Sequence, residues 1–137
     1  VVTDQDVEAI CTVRVSSRIF DMINAIAAGQ PKQALELYYD LLALKEPPMR
    51  ILFLLARQCN LLLQAKELKT KGYDNRAIAA AIGVAPFVVG KTLTQASKFK
   101  TDVLRAAVEK CVEAEEAVKT GRMNDVMSVE VLILSVL

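Results

Sequence analysis

The sequence predicts an all-α protein, a bundle of about seven or eight helices. Three observations predict it. Apolar residues recur at spacings of three and four along nearly the whole chain, without the strict apolar–polar alternation of a half-buried strand. Glycines and prolines fall between the periodic segments, where they stop and start helices. One segment, Pro47 to Lys71, is apolar around most of its circumference yet interrupted by polar residues. That pattern suits a helix at the centre of a bundle.

Taken in order, Thr3 is placed to cap a short helix from Asp4 to about Thr12, with Asp6 favourable in its first turn. Val13 to Ser16 reads as a junction. Ser17 then opens a helix whose inner face is Ile19, Phe20, Ile23 and Ile26, ending at Gly29. Pro31 suits the first turn of the next helix, with Ala34, Leu37, Tyr38, Leu41 and Leu42 as its stripe. The short link between these two predicts a helical hairpin. Lys45-Glu46 is the following turn.

Pro47-Pro48 start the long helix. Arg50, Arg57, Asn60, Gln64, Glu67 and Lys71 repeat at offsets of three, four and seven and form one polar stripe. Gln58 falls instead among Ile51, Leu62 and Ala65, so it reads as a buried polar group needing a hydrogen-bond partner. Gly72 ends this helix. Asp74 caps a short one, Asn75 to Ile82, stopped by Gly83. Pro86 opens another, reaching about Phe99. Thr101 is expected to cap an amphipathic helix with Leu104, Ala107, Cys111, Ala114 and Val118 on one seam, closed by Gly121. Asn124 or Asp125 caps a last apolar helix, Val126 to Leu137.

The composition narrows the function classes. Hydrophobic residues make up 53% of the chain, enough for a sizeable core, and the net charge of +1 excludes a strongly basic nucleic-acid binder. Any nucleic-acid role would need a local patch. The three cysteines, Cys11, Cys59 and Cys111, are isolated, and histidine is absent, so a zinc site of the usual kind lacks its ligands. Buried free thiols fit a reducing, cytoplasmic compartment. The N-terminus shows no signal peptide, and its first residue, Val1, points to a piece of a longer chain. No apolar run approaches the ~18 residues of a membrane span, so no membrane partner is expected.

Catalysis has little support. The chain holds no glycine-rich phosphate loop and no nucleophile elbow, and it lacks the commonest general base. Glu113, Glu115 and Glu116, with Lys110 and Lys119 nearby, read as a solvated helix face. No cofactor or metal is implied. The segment Asn75 to Thr92 resembles a helix-turn-helix, with Ala79 and Gly83 at the small and turn positions. Its second helix, however, would offer Pro86, Phe87, Val88 and Gly90 to base edges, with Lys91 the only charge. Those side chains carry almost no hydrogen-bonding information. Lys91, Lys98 and Lys100 remain candidate phosphate contacts against the plainer reading of a solubilising face.

Arg50-Ile51-Leu52-Phe53-Leu54-Leu55-Ala56-Arg57-Gln58, followed by Leu61-Leu62-Leu63-Gln64-Ala65-Lys66-Glu67-Leu68, resembles the clamp-loader delta subunits of bacterial DNA polymerase III. Thr3 to Ile10 resembles the end of the family's second, lid-like domain, and Ile19 to Ile26 the opening of its third. Ile78 to Gly83 with Pro86-Phe87-Val88, and Gly121-Arg122 before the last helix, follow in the family's order. The resemblance covers essentially the whole chain. Cys59-Asn60 departs from it where the family often has an aromatic and a basic residue, so a charged contact there is not carried over.

The resemblance implies residues 1–14 as the end of a lid-like domain and residues 15–137 as a collar domain. In clamp loaders such collars associate in a ring, while contact with the sliding clamp and DNA belongs to the full-length protein and its assembly. The expected partners are the collars of other clamp-loader subunits, and the expected role is a non-catalytic scaffold in DNA replication. Candidate subunit-interface residues are Arg57, Gln58, Phe87, Val88, Leu132, Leu134 and Leu137. Whether Arg57 and Gln58 serve the core or a neighbour stays open at this level. The competing reading is a fragment of a helix-turn-helix DNA-binding regulator.

Overall fold

A computed structural model describes the backbone of residues 4–135, and the side chains of Val15 and residues 17–135. The described residues form seven helices: α1 (Asp4–Ala27), α2 (Pro31–Ala43), α3 (Pro48–Thr70), α4 (Asn75–Ile82), α5 (Pro86–Ala96), α6 (Thr101–Lys119) and α7 (Asp125–Ser135). Thr3 and Leu137 lie outside the described residues, as does the side chain of Cys11.

Helix α3 is the axis of the bundle. It packs against α1, α4, α5, α6 and α7, while α2 packs on α1 and α7. Ile51, Leu52, Leu54, Leu55, Cys59, Leu62 and Ala65 are buried along it. The expected polar stripe is on the outside, and Phe53 sits in the same stripe at 65% exposure. The sequence alone assigned Phe53 to a contacted face. It lies three residues after Arg50 and four before Arg57, which puts it on the solvent side.

The main core joins α1, α2, α3, α6 and α7 around Ile19, Met22, Tyr38, Leu41, Ile51, Leu62, Leu104 and Ile133. A smaller core of Ala65, Ile78, Ala79 and Val89 seats the α4–α5 hairpin on the C-terminal third of α3. Burying each Leu or Ile contributes about 1.5–3 kcal/mol of transfer free energy.

Three boundaries differ from the sequence reading. Helix α1 runs unbroken through Val13–Ser16, where a junction was expected. That stretch holds neither glycine nor proline, and β-branched residues weaken a helix without ending it. Thr101 does not cap α6. The cap residue is Lys100, whose carbonyl accepts from Leu104 N–H at 3.1 Å, so Thr101 is already helical. Burial of Phe99 holds the chain in that register. Helix α5 also stops at Ala96, short of Phe99.

The other predicted punctuation is present. Asp74 Oδ1 accepts from Ala77 N–H at 2.8 Å, and Asn124 Oδ1 from Met127 N–H at 2.7 Å. Gly83 takes a left-handed conformation at φ 75°, and Val84 N–H then closes on Ala79 O. The α2–α3 turn reaches the same conformation with Lys45, at φ 65°. No single helix among the described residues is long and apolar enough to cross a membrane.

Candidate interaction surface

The candidate residues divide into those the bundle uses internally and those it leaves outside. Gln58 belongs to the first group. Its Nε2 donates to Gln95 Oε1 at 3.0 Å. Gln95, 1% exposed, donates in turn to Phe20 O and Asn24 Oδ1, each at 3.0 Å. Asn24 Oδ1 also accepts from Lys98 Nζ at 3.1 Å. One polar network thus fastens α3 and α5 to α1. Gln95 gives no signal in the sequence because its partners lie far away in the chain.

Arg57 is exposed at the edge of a shallow groove lined by Ile19, Leu54, Gln58 and Leu61. Among the described residues Phe87 is the most exposed large apolar side chain, at 86%, while Val88 beside it is half-buried. Leu132 is buried in the main core at 4% exposure and offers no free surface. Leu134 is 57% exposed.

The candidate phosphate contacts are largely engaged within the domain. Lys91 places its ammonium 4.5 Å from the centre of the Phe20 ring, and Lys98 holds Asn24. Lys100 is exposed at the start of α6. Lys66 donates to Phe99 O and, at 3.4 Å, to Ala96 O. It satisfies carbonyls at the end of α5, where the helix dipole favours a cation. Lys110 does the same at the end of α7 by donating to Ser135 O.

Helices α4 and α5 meet at 93° across the turn Gly83-Val84-Ala85, an angle a helix-turn-helix would have. The outward residues of α5 argue against base reading. Pro86, Phe87, Gly90 and Lys91 are exposed there, and Lys91 is already held over Phe20.

On the outer face of α7, sequence reasoning named Leu134 but missed Met127 and Val131. Val129, Leu132 and Ile133 fill the core, leaving Met127 and Val131, with Leu134, at 50%, 46% and 57% exposure respectively. Spacings of four and three align them in one stripe. The signal was available: an apolar helix at the surface of a bundle buries only part of its circumference. On α2, desolvation and then the nearby Glu130 carboxylate push the Tyr39 phenol pKa up. Its neighbour Tyr38 is fully buried and donates to Val126 O at 3.0 Å.

Cys59 and Cys111 are free, buried thiols that meet between α3 and α6. Their shared hydrogen bond and burial push the Cys59 thiol well above its usual range. That environment makes an inert thiol.

Comparison with known proteins agrees with this architecture. Residues 16–136 match the family described as DNA polymerase III delta subunit, C-terminal domain. The chain is 31% identical over 136 residues to the DNA polymerase III subunit delta of Bacillus subtilis (strain 168), an alignment covering 99% of this chain and 39% of that protein. The Bacillus subtilis DNA clamp loader delta protein superposes with a TM-score of 0.83 at 31% identity, over 89% of this chain and 36% of that one. The chain thus spans about two fifths of the length of its curated relative.

Proposed function

The chain belongs to the family of C-terminal domains found in DNA polymerase III delta subunits, and we propose that it is the collar of a clamp-loader delta subunit. In this reading it is a non-catalytic helical scaffold. It joins the collars of other clamp-loader subunits, and so fixes where the rest of its protein sits while the sliding clamp is loaded for DNA replication. Contact with the clamp and with DNA is made by the full-length protein in its assembly, in the cytoplasm.

The observation that carries this reading is the apolar surface left once the core is full. Met127, Val131 and Leu134 form one stripe on α7 that remains in solvent on a bundle whose interior is already packed. Apolar side chains grouped in this way mark a protein-contact surface. The polar network under Gln95 and the central position of α3 supply the rigidity a scaffold needs.

The domain division expected from the sequence is kept as part of the proposal. Residues 1–14 end a lid-like domain and residues 15–137 form the collar. The family match beginning at residue 16 supports that boundary, although α1 runs through it as one helix.

The test is retention of the remaining clamp-loader subunits by the immobilised domain. The reading predicts stoichiometric retention of at least one of them at physiological salt. Retention of none would refute it. A sequence-preferring, salt-dependent gel shift by the domain alone would favour the helix-turn-helix regulator instead.

A further inference from the structure

Cys59 on α3 and Cys111 on α6 are 8% and 3% exposed, far apart in the chain, and line one cavity of about 20 Å³. Leu55, Leu62, Phe99, Leu104, Ala107 and Ile133 supply apolar wall around them. The space takes about one water-sized molecule. Each thiol is the leading influence on the other's acidity, Cys59 being pushed up and Cys111 down. Such an influence acts only between close neighbours. A scaffold has no need of the pair, because apolar side chains of similar size would fill the same space.

Charge decides which chemistry this site admits. A sulfinic acid or a pair of metal-bound thiolates would bury charge among apolar side chains, whereas a disulfide is neutral. Size decides the oxidant. Hydrogen peroxide is little larger than water, while glutathione disulfide is far too large for the cavity.

We propose that Cys59 and Cys111 are a redox-sensitive pair that a small hydroperoxide closes to a disulfide, stapling α3 to α6. The Cys111 thiolate attacks one peroxide oxygen. The O–O bond breaks, and the hydroxide released takes up the proton that Cys111 gave up, leaving as water. The Cys59 sulfur then attacks the Cys111 sulfenic acid. The S–S bond forms, the S–O bond breaks, and the Cys59 proton leaves with the hydroxide as a second water. The two thiols lose two electrons, and one peroxide becomes two waters. A dithiol reductant reverses the change. The bond closes the α4–α5 hairpin into a covalent loop between α3 and α6. Such a loop restricts the unfolded chain and so stabilises the folded one.

The test uses the folded chain carrying Cys11→Ser, in which Cys59 and Cys111 are the remaining thiols. Samples treated with hydrogen peroxide or glutathione disulfide are denatured, alkylated and read by peptide mass spectrometry. Peroxide should give the Cys59–Cys111 cross-link as the main product. The cross-linked chain should have a higher urea midpoint than the reduced one, and dithiothreitol should restore the lower value. Glutathione disulfide should leave the pair reduced in the folded chain and modify it in denaturant. In peroxide, Cys59→Ala should stop at the Cys111 sulfenic acid, trapped by dimedone on denaturation, and Cys111→Ala should leave Cys59 reduced, with circular dichroism showing that each variant is folded. Thiols that stay reduced in peroxide, sulfinic or sulfonic acid in place of the cross-link, a cross-link that lowers the midpoint, or glutathione attached to the folded pair each overturn the proposal. None of these readouts involves another clamp-loader subunit, so their failure leaves the collar reading standing.

Discussion

Gln58 on α3 and Gln95 on α5 are joined side chain to side chain at 3.0 Å, across 37 positions of sequence. The two differ in burial. Gln95 is enclosed and also bonds to Phe20 O and Asn24 Oδ1, whereas Gln58 is half-buried. Removing Gln95 opens a cavity and strips three hydrogen bonds from one site. Removing Gln58 leaves Gln95 Oε1 without its donor. Gln95→Ala should therefore cost about 2–3 kcal/mol in urea unfolding and Gln58→Ala about 1 kcal/mol. The reverse order of costs would mean that the network does not anchor α5 as described.

Lys45 holds a left-handed conformation, φ 65°, at the end of α2, where Lys45 N–H bonds to Leu42 O and Glu46 N–H to Leu41 O. A side chain in that conformation costs about 1–2 kcal/mol, and glycine carries an unfolded-state entropy penalty of about 0.5–1 kcal/mol. Lys45→Gly should stabilise the domain by about 0.5–1 kcal/mol, read as a higher urea midpoint with unchanged slope. Lys45→Val should destabilise it. A destabilised glycine variant would argue that the lysine side chain itself contributes at this turn.

Tyr38 is buried, and desolvation, followed by the nearby Glu130 and Asp125 carboxylates, raises its phenol pKa above the usual value near 10. The folded state therefore keeps the proton after the unfolded chain has released it. Its stabilising effect is full below pH ~10 and is lost as pH rises beyond that. Stability should fall more steeply between about pH 10 and 11 in the unmodified domain than in Tyr38→Phe. The variant should also lose about 1 kcal/mol at neutral pH, because its ring no longer donates to Val126 O. Identical alkaline slopes would contradict the buried, protonated phenol.

Cys59 and Cys111 lie together inside the core, and the Cys59 thiol is held protonated there. At neutral pH both should resist a thiol-alkylating reagent in the folded domain and react promptly in denaturant, with modified positions read by peptide mass spectrometry. Fast labelling of either in the native state would show that the α3–α6 contact opens readily.

The helix order was legible because its punctuation is chemical. Gly29, Pro31, Gly72, Asp74, Gly83, Pro86 and Gly121 each impose or relieve a backbone constraint within a few residues. The central position of α3 was legible too, because its apolar residues exceed what one buried face needs. The junction placed at Val13–Ser16 had no such residue behind it, and the helix continues there. Periodicity could not say which apolar residues face outward. Phe53 and Val131 look like core residues in the text and are exposed in the fold. Leu132 stood equally well as an interface candidate and is interior. Long-range polar pairing was also invisible, since nothing near Gln95 in the chain announces Gln58, Asn24 or Phe20 as partners.

Sedimentation velocity of the purified domain, alone and mixed with the other clamp-loader subunits, tests the assembly role most directly. The account predicts a faster-sedimenting species that contains the domain, persists at physiological salt and disappears with Leu134→Asp and Val131→Asp in variants that remain folded. A domain that sediments as an unchanged monomer with every one of those subunits would contradict it.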